Sequence, residues 1–169
     1  DGPFYAGREV ALIGDGNTAM QYAIVLSNIC SKVYLLTWMD KFFGDKVLEN
    51  ALRKKENIIH MPNTSVTEFV GEDSLTAVQY QDNVTKEIKQ LNVPGAFIAI
   101  GQVPNNSMFK KFAALDRNGY FVPNIYMGTE TPGFFVAGDC TNKPVRQVAT
   151  AISDGAIAAV SACAYVDSI

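Results

Sequence analysis

The stretch Glu9-Val10-Ala11-Leu12-Ile13-Gly14-Asp15-Gly16-Asn17-Thr18-Ala19 limits what this chain can become more than any other. A short apolar run ends in Gly-x-Gly-x-x-Ala and passes directly into a helix-like segment, Met20 to Asn28. That order is the strand, tight turn and helix start of a dinucleotide-binding βαβ unit. Gly14 allows a sharp turn off the strand, and Gly16, with no side chain, lets a pyrophosphate approach the backbone. Asn17, Thr18 and Ala19 then open the helix, where free N–H groups and the positive dipole end meet the phosphates. A glycine triplet by itself is a weak signal; the strand before it and the helix after it supply the context.

Composition narrows the field further. Of 169 residues, 48% are apolar and 18% charged, which describes a folded chain and not a disordered one. A net charge of −3 gives no support to nucleic-acid or membrane-surface binding. Neither an apolar run of membrane-spanning length nor a signal peptide is expected, so the default location is the reducing cytoplasm. Cys30, Cys140 and Cys163 are too scattered for a disulfide framework or a metal-ligand cluster. The chain opens on Asp1-Gly2-Pro3 without an initiator Met, and truncation is the expectation.

Apolar periodicity predicts strands at Val10–Ile13, Lys32–Thr37, Asn57–Met61 and Ala96–Ile100, and helices at Thr18–Asn28 and Asp45–Lys55. Between them, Ser65–Val70, Leu75–Gln81 and Thr85–Leu91 alternate in part and are joined by turn residues, as in an antiparallel meander. The fold class is therefore α/β, a Rossmann-like parallel sheet with a small antiparallel meander insertion. Residues 106–130 are turn-rich. Phe134–Ala137 reads as a brief strand, and an Ala-rich helix is expected from near Val145 to Val166. This last third makes a poor domain by itself, so association or disorder is expected around residues 106–135.

Four ordered segments resemble a known family, the low-molecular-weight thioredoxin reductases within the pyridine-nucleotide-disulfide oxidoreductases. Asp1-Gly2 resembles the pair that follows the redox Cys-x-x-Cys. Gly14–Ala19 resembles the NADPH-domain fingerprint. Ala99-Ile100-Gly101-Gln102-Val103-Pro104-Asn105 resembles the hinge between domains. Thr131–Cys140, followed by Arg146-Gln147-Val148-Ala149, resembles the late flavin-binding segment. The resemblance implies an NAD(P)-binding domain at 2–101 and the trailing segment of an FAD-binding domain at 102–169. It implies that the redox cysteine pair lies upstream of Asp1, leaving no catalytic residue in this chain, which alone would be inactive. It implies a homodimer using FAD, with hydride passing from the nicotinamide to the flavin and electrons then reaching a thioredoxin-like disulfide. Ile100, Gly101, Gly138, Asp139, Arg146, Gln147 and Val148 become cofactor-binding candidates on the same ground. Taken alone, Asp139 reads as a turn residue and Arg146 as a surface charge.

The sequence departs from the family after the second strand. Where the family has His-Arg-Arg-x-x-x-Arg to clamp the 2′-phosphate of NADPH, this chain has Thr37-Trp38-Met39-Asp40-Lys41-Phe42-Phe43. All three arginines are replaced, and Asp40 would repel a dianion. Two readings follow. In one the chain uses NADH, with Thr37 or Asp40 on the ribose hydroxyls, Met39 beside them and Trp38 stacked near the adenine. In the other the nicotinamide is abandoned, and an apolar Trp38-Met39-Phe42-Phe43 patch docks a protein donor such as ferredoxin. The retained glycines favour NADH. A rival of another class is a non-catalytic dinucleotide-binding or docking module. Phe42 and Phe43 read equally well as packing against the Asp45–Lys55 helix, and His60 as structural. Cys30 and Cys163 read as small core residues. Asp15, between the glycines, is expected to point away from the phosphates and weaken binding modestly.

Overall fold

The computed structural model describes residues Asp1–Ile169 as two compact units, Asp1–Gly101 and Gln102–Ile169. In the first, a four-stranded parallel sheet runs in the order β3-β2-β1-β7, with β1 at Glu9–Ile13, β2 at Lys32–Leu36, β3 at Ile58–Met61 and β7 at Ala96–Ile98. These strands are almost continuously apolar because both of their faces are covered. Alternate side chains sort between two cores. Val10, Leu12, Val33, Leu35 and Ile58 pack under α1 (Asn17–Ser27) and α2 (Lys46–Arg53), together with Ala19, Met20, Ala23 and Leu52. Ala11, Leu36 and their neighbours Ile13 and Tyr34 face the opposite way. There they meet Val78 and Val93 beneath an antiparallel sheet of β4 (Thr64–Gly71), β5 (Leu75–Asp82) and β6 (Ile88–Leu91).

The order of strands positions the site. The chain winds from β1 outward to β2 and β3, then returns to the other side of β1 as β7. The crevice above the carboxyl end of β1 is thus the switch point of an open parallel sheet, where such folds bind ligands.

The last meander strand begins at Ile88, three residues later than the alternation from Thr85 predicts. Asp82 Oδ1 accepts from the Val84 and Thr85 amides (2.9 and 3.0 Å), and Lys86 takes a left-handed conformation, which keeps these residues in a turn.

The second unit has a small core of Ala113, Phe121 and Val136, ringed by Phe109, Phe112 and Phe134. Asn106 is buried and donates to the carbonyls of Gly119 and Cys140 (both 2.9 Å). Asp116 and Asn124 close turns through their carboxylate and amide oxygens. Residues 106–135 are therefore cross-braced, and the expectation of disorder there is corrected. The expected strand at Phe134–Ala137 shrinks to one bridge, Gly128 with Phe135, because Gly133 and Gly138 turn the chain on either side. The helix α3, Val148–Val166, starts at Val148 and not near Val145, since Gln147 is extended (φ −141°, ψ 157°). None of its residues is buried, and Cys163 is exposed rather than in a core. By length and composition α3 is also long and apolar enough to cross a membrane, contrary to the expectation that no run would be.

The fully buried Leu12 sits at the centre of the parallel sheet. Leu12→Ala is expected to lower the stability of this unit by about 2–5 kcal/mol, read by urea denaturation.

Candidate functional site

Gly14 and Gly16 have different physical reasons to be glycine. Gly14 has φ +143°, and a Cβ there would lie 2.3 Å from the Ala99 carbonyl oxygen. The end of β1 can approach the end of β7 only without that atom, so Gly14 is required by the fold. A Cβ on Gly16 would meet only the Phe43 carbonyl at 3.7 Å, an ordinary contact. Nothing inside the protein demands a glycine there. Thr18 and Ala19 lie in the first turn of α1, and neither amide donates to a protein acceptor.

Beside the turn is a cavity of about 280 Å³. It is lined by Ile13, Gly14 and Asp15 at the end of β1, Leu36 and Trp38 at the end of β2, Ile100 after β7, and Thr64, Ser65 and Val66 of β4. Trp38 is 70% exposed and Ile100 72%, which leaves both apolar side chains free to meet a ligand. Asp15 is among the residues that line the cavity.

The loop after β2 is held at both ends. Thr37 is fully buried, and its hydroxyl donates to the Met39 carbonyl (2.7 Å). Having one proton, that hydroxyl accepts in its 2.9 Å contact with His60 Nε2. Thr37 is thus removed as a ribose ligand and becomes a brace. At the far end the Phe43 amide donates to the Asp15 carbonyl (2.8 Å), and Asn17 makes two bonds to Asp45. Its Oδ1 accepts from the Asp45 amide (2.8 Å) and its Nδ2 donates to the carboxylate (3.1 Å). Asn17 therefore ties the loop to the glycine turn through its side chain. Gly44 allows the approach, since a Cβ there would collide with Asn17 Oδ1 and Met20.

Between these ties, Trp38, Met39, Asp40 and Phe43 point outward. Phe42 turns inward, joins the helix-side core and stacks on His60 (4.6 Å between centroids). Burial, helped by the nearby Arg53 cation, holds the His60 imidazole below the usual histidine range. The sole cation on the outward face of this loop is Lys41, which lies over the Phe43 ring at 5.6 Å. Gly101, with φ +100°, follows Ile100 and has open space around it.

In the second unit, the turn at Gly138 (φ +86°) is fixed by α3. Asp154 accepts from the Gly138 amide (3.1 Å) and pairs with Lys143 (2.6 Å), whose ammonium holds the carboxyl below its usual range. The Asp139 carboxylate has no partner within the chain, while its carbonyl accepts from Arg146 (3.3 Å). Arg146 also donates to the Thr141 carbonyl and lies 3.9 Å from the Tyr120 ring centroid, so its guanidinium is already engaged. The Gln147 amide donates to Thr150 Oγ1 (3.1 Å), capping the helix that begins at Val148. Burial pushes the Cys140 thiol up.

Thr64, Ser65 and Val66 escape a reading of the sequence alone. The sequence marks Ser65 and Val66 only as the start of a meander strand after the turn Pro62-Asn63, in which Asn63 is left-handed (φ 53°). It takes the fold to bring that turn to the end of β2.

Comparison with known proteins agrees with this picture. A family model described as pyridine nucleotide-disulphide oxidoreductase matches residues 2–155. A component of the alkyl hydroperoxide reductase of Staphylococcus aureus is 37% identical over 166 residues, covering 98% of this chain and 33% of that protein. An NADH dehydrogenase of Ferdinandcohnia aciditolerans is 34% identical over 165 residues, covering 98% and 32%. Among solved structures, thioredoxin reductase of Lactococcus lactis superposes with a TM-score of 0.82 at 29% identity, over 100% of this chain and 56% of that one. Thioredoxin reductase of T. acidophilum gives 0.78 at 35% identity, over 99% and 55%. The chain thus spans about a third of the length of these curated relatives and about half that of the solved reductases.

Two outcomes are expected. Gly14→Ala lowers the melting temperature markedly, whereas Gly16→Ala leaves it nearly unchanged, in parallel thermal melts. His60 favours its neutral form in the folded chain, so its contribution is complete above about pH 6.5 and is lost as pH falls through the lower folded value. The melting temperature of the wild-type chain should therefore drop more steeply below that pH than that of His60→Gln.

Proposed function

Because the chain belongs to the pyridine nucleotide-disulphide oxidoreductase family, we propose that it is the nucleotide-binding portion of an FAD-dependent NAD(P)H:disulfide oxidoreductase that prefers NADH. In this reading residues 2–101 are the NAD(P)-binding domain and 102–169 the trailing segment of the FAD-binding domain. The observation that carries it is the Gly14–Gly16 turn, where Gly16 has room for a Cβ and the exposed Thr18 amide has no acceptor, next to a cavity lined by Gly14 and Asp15 at the switch point of the sheet. A fold that needs Gly14 but not Gly16 has kept room for something other than itself.

Within that site, Gly16, Thr18 and Ala19 would bind the pyrophosphate, with Asn17 holding the turn in place. Asp40 would accept from the ribose hydroxyls, and Trp38 and Met39 would cover the adenine. Ile100 and Gly101 would border the nicotinamide half. The preference for NADH rests on the outward face of the 38–43 loop, which offers Asp40 and apolar side chains where a 2′-phosphate needs cationic forks. One similar protein is itself named an NADH dehydrogenase. In the second unit, the unpartnered Asp139 carboxylate, the Gly138 turn and the start of α3 at Gln147 and Val148 suit a flavin, while Arg146 braces that turn. When bound, the nicotinamide and flavin would supply the electron transfer. The partner would be a thioredoxin-like disulfide protein, the assembly a homodimer and the location cytoplasmic.

A second reading has its own observation. Trp38, Met39 and Phe43 are exposed together, as a docking surface for a protein donor such as ferredoxin would be. Titration of the chain with NADH, NADPH and reduced ferredoxin, followed by emission of its one tryptophan, separates the readings. Saturable quenching by NADH at lower concentration than NADPH supports the proposal. Response to ferredoxin alone overturns it in favour of the second reading. Met39→Arg is expected to improve NADPH binding relative to NADH by about tenfold, the worth of one arginine–phosphate pair.

A further inference from the structure

We propose that Asn83, at the tip of the antiparallel meander, is a positioning residue of the nucleotide site. Oriented by Ser65, it holds the backbone of Trp38 and so fixes the indole on which the adenosine half of the nucleotide rests. The inference rests on the nucleotide reading above and extends the site to a part of the fold that the glycine fingerprint does not involve.

Trp38 combines an exposed side chain with a tethered backbone. Its indole is 70% exposed, so packing alone holds it weakly. Its backbone is nevertheless bonded from the other sheet. Asn83 Nδ2 donates to the Trp38 carbonyl (3.2 Å) across 45 positions of sequence. The amide can do so in only one orientation, and Ser65 sets it by donating from Oγ to Asn83 Oδ1 (2.8 Å). The Asn83 amide donates in turn to the Asn63 carbonyl (2.7 Å), and the Asn63 amide reaches the Met39 carbonyl (3.4 Å). The hairpin tip that presents Asn83 is itself fixed by the Asp82 carboxylate bonds to Val84 and Thr85. Successive carbonyls of the 38–39 segment are therefore held by residues of the meander or of the turn leading into it.

Adhesion of the two sheets does not require this relay. Val78 and Val93 pack against Ala11 and Leu36, while Ser65 and Asn83 lie outside that core. Ser65 does line the same cavity as Trp38. The polar relay thus ends on a loop whose Trp38 lines the proposed ligand space.

The test uses the chain's single tryptophan as its own reporter. ADP-ribose, which carries the adenosine half, should quench Trp38 saturably. Asn83→Ala and Ser65→Ala should each weaken that binding about three- to tenfold, the loss of one hydrogen bond. Both should raise the mobility of Trp38 seen in its emission anisotropy without changing the far-ultraviolet circular dichroism. Asn83→Asp, which sets an oxygen against the Trp38 carbonyl, should weaken it further. Unchanged ADP-ribose affinity in the folded alanine variants overturns the proposal and leaves the nucleotide reading standing. Absence of quenching by ADP-ribose, NADH and NADPH in the wild-type chain overturns both. If Asn83→Ala fails to fold, Ser65→Ala decides by the same comparison.

Discussion

The contact between Gly14 and the Ala99 carbonyl organises the first unit. With no Cβ in the way, the end of β1 lies against the end of β7, and the Ala99 amide reaches the Ile13 carbonyl at 2.8 Å. The turn that follows can then swing α1 back across the sheet, where Ala19, Met20 and Ala23 complete the helix-side core. The same turn sets the start of α1 next to the Gly14–Asp15 edge of the cavity. Stability and site geometry thus share one backbone position, while Gly16, two residues on, is free of the first duty.

A second layer of control lies in the loop after β2. Apart from Phe42, its apolar side chains face outward, which in isolation would make it a poorly ordered segment. Instead, its main chain is captured by Thr37, Asn63, Asn83 and the Asn17–Asp45 pair. Pre-ordering of this kind lowers the entropy that a ligand must remove on binding, so modest contacts can give useful affinity.

The parallel strands, α1 and the glycine turn were legible in the sequence because each has a local cause. Continuous apolar runs mark strands covered on both faces, and the Gly-x-Gly-x-x-Ala spacing marks the turn. Phe42 and Phe43, ambiguous in sequence, separate cleanly in space, one into the core and the other into solvent. What escaped were the positions whose role depends on distant partners. Thr37 reads as a polar ribose ligand until the fold buries it under His60 and Met39. Arg146, taken alone, reads as a surface charge until Tyr120, Asp139 and Thr141 engage it. The start of α3 was missed because Gln147 is held extended by bonds that no helical periodicity encodes.

The two-ended tethering of the 38–45 loop reaches into the history open to a chain like this one. The ties run through main-chain groups and through Thr37, Asn17, Asn63 and Asn83, and none involves the side chains of Trp38, Met39, Asp40 or Phe43. Those four positions can change without loosening the frame that carries them. On the proposed reading, electron-donor choice would therefore be separable from folding, and a lineage could exchange one donor for another by surface substitutions while its scaffold stays intact.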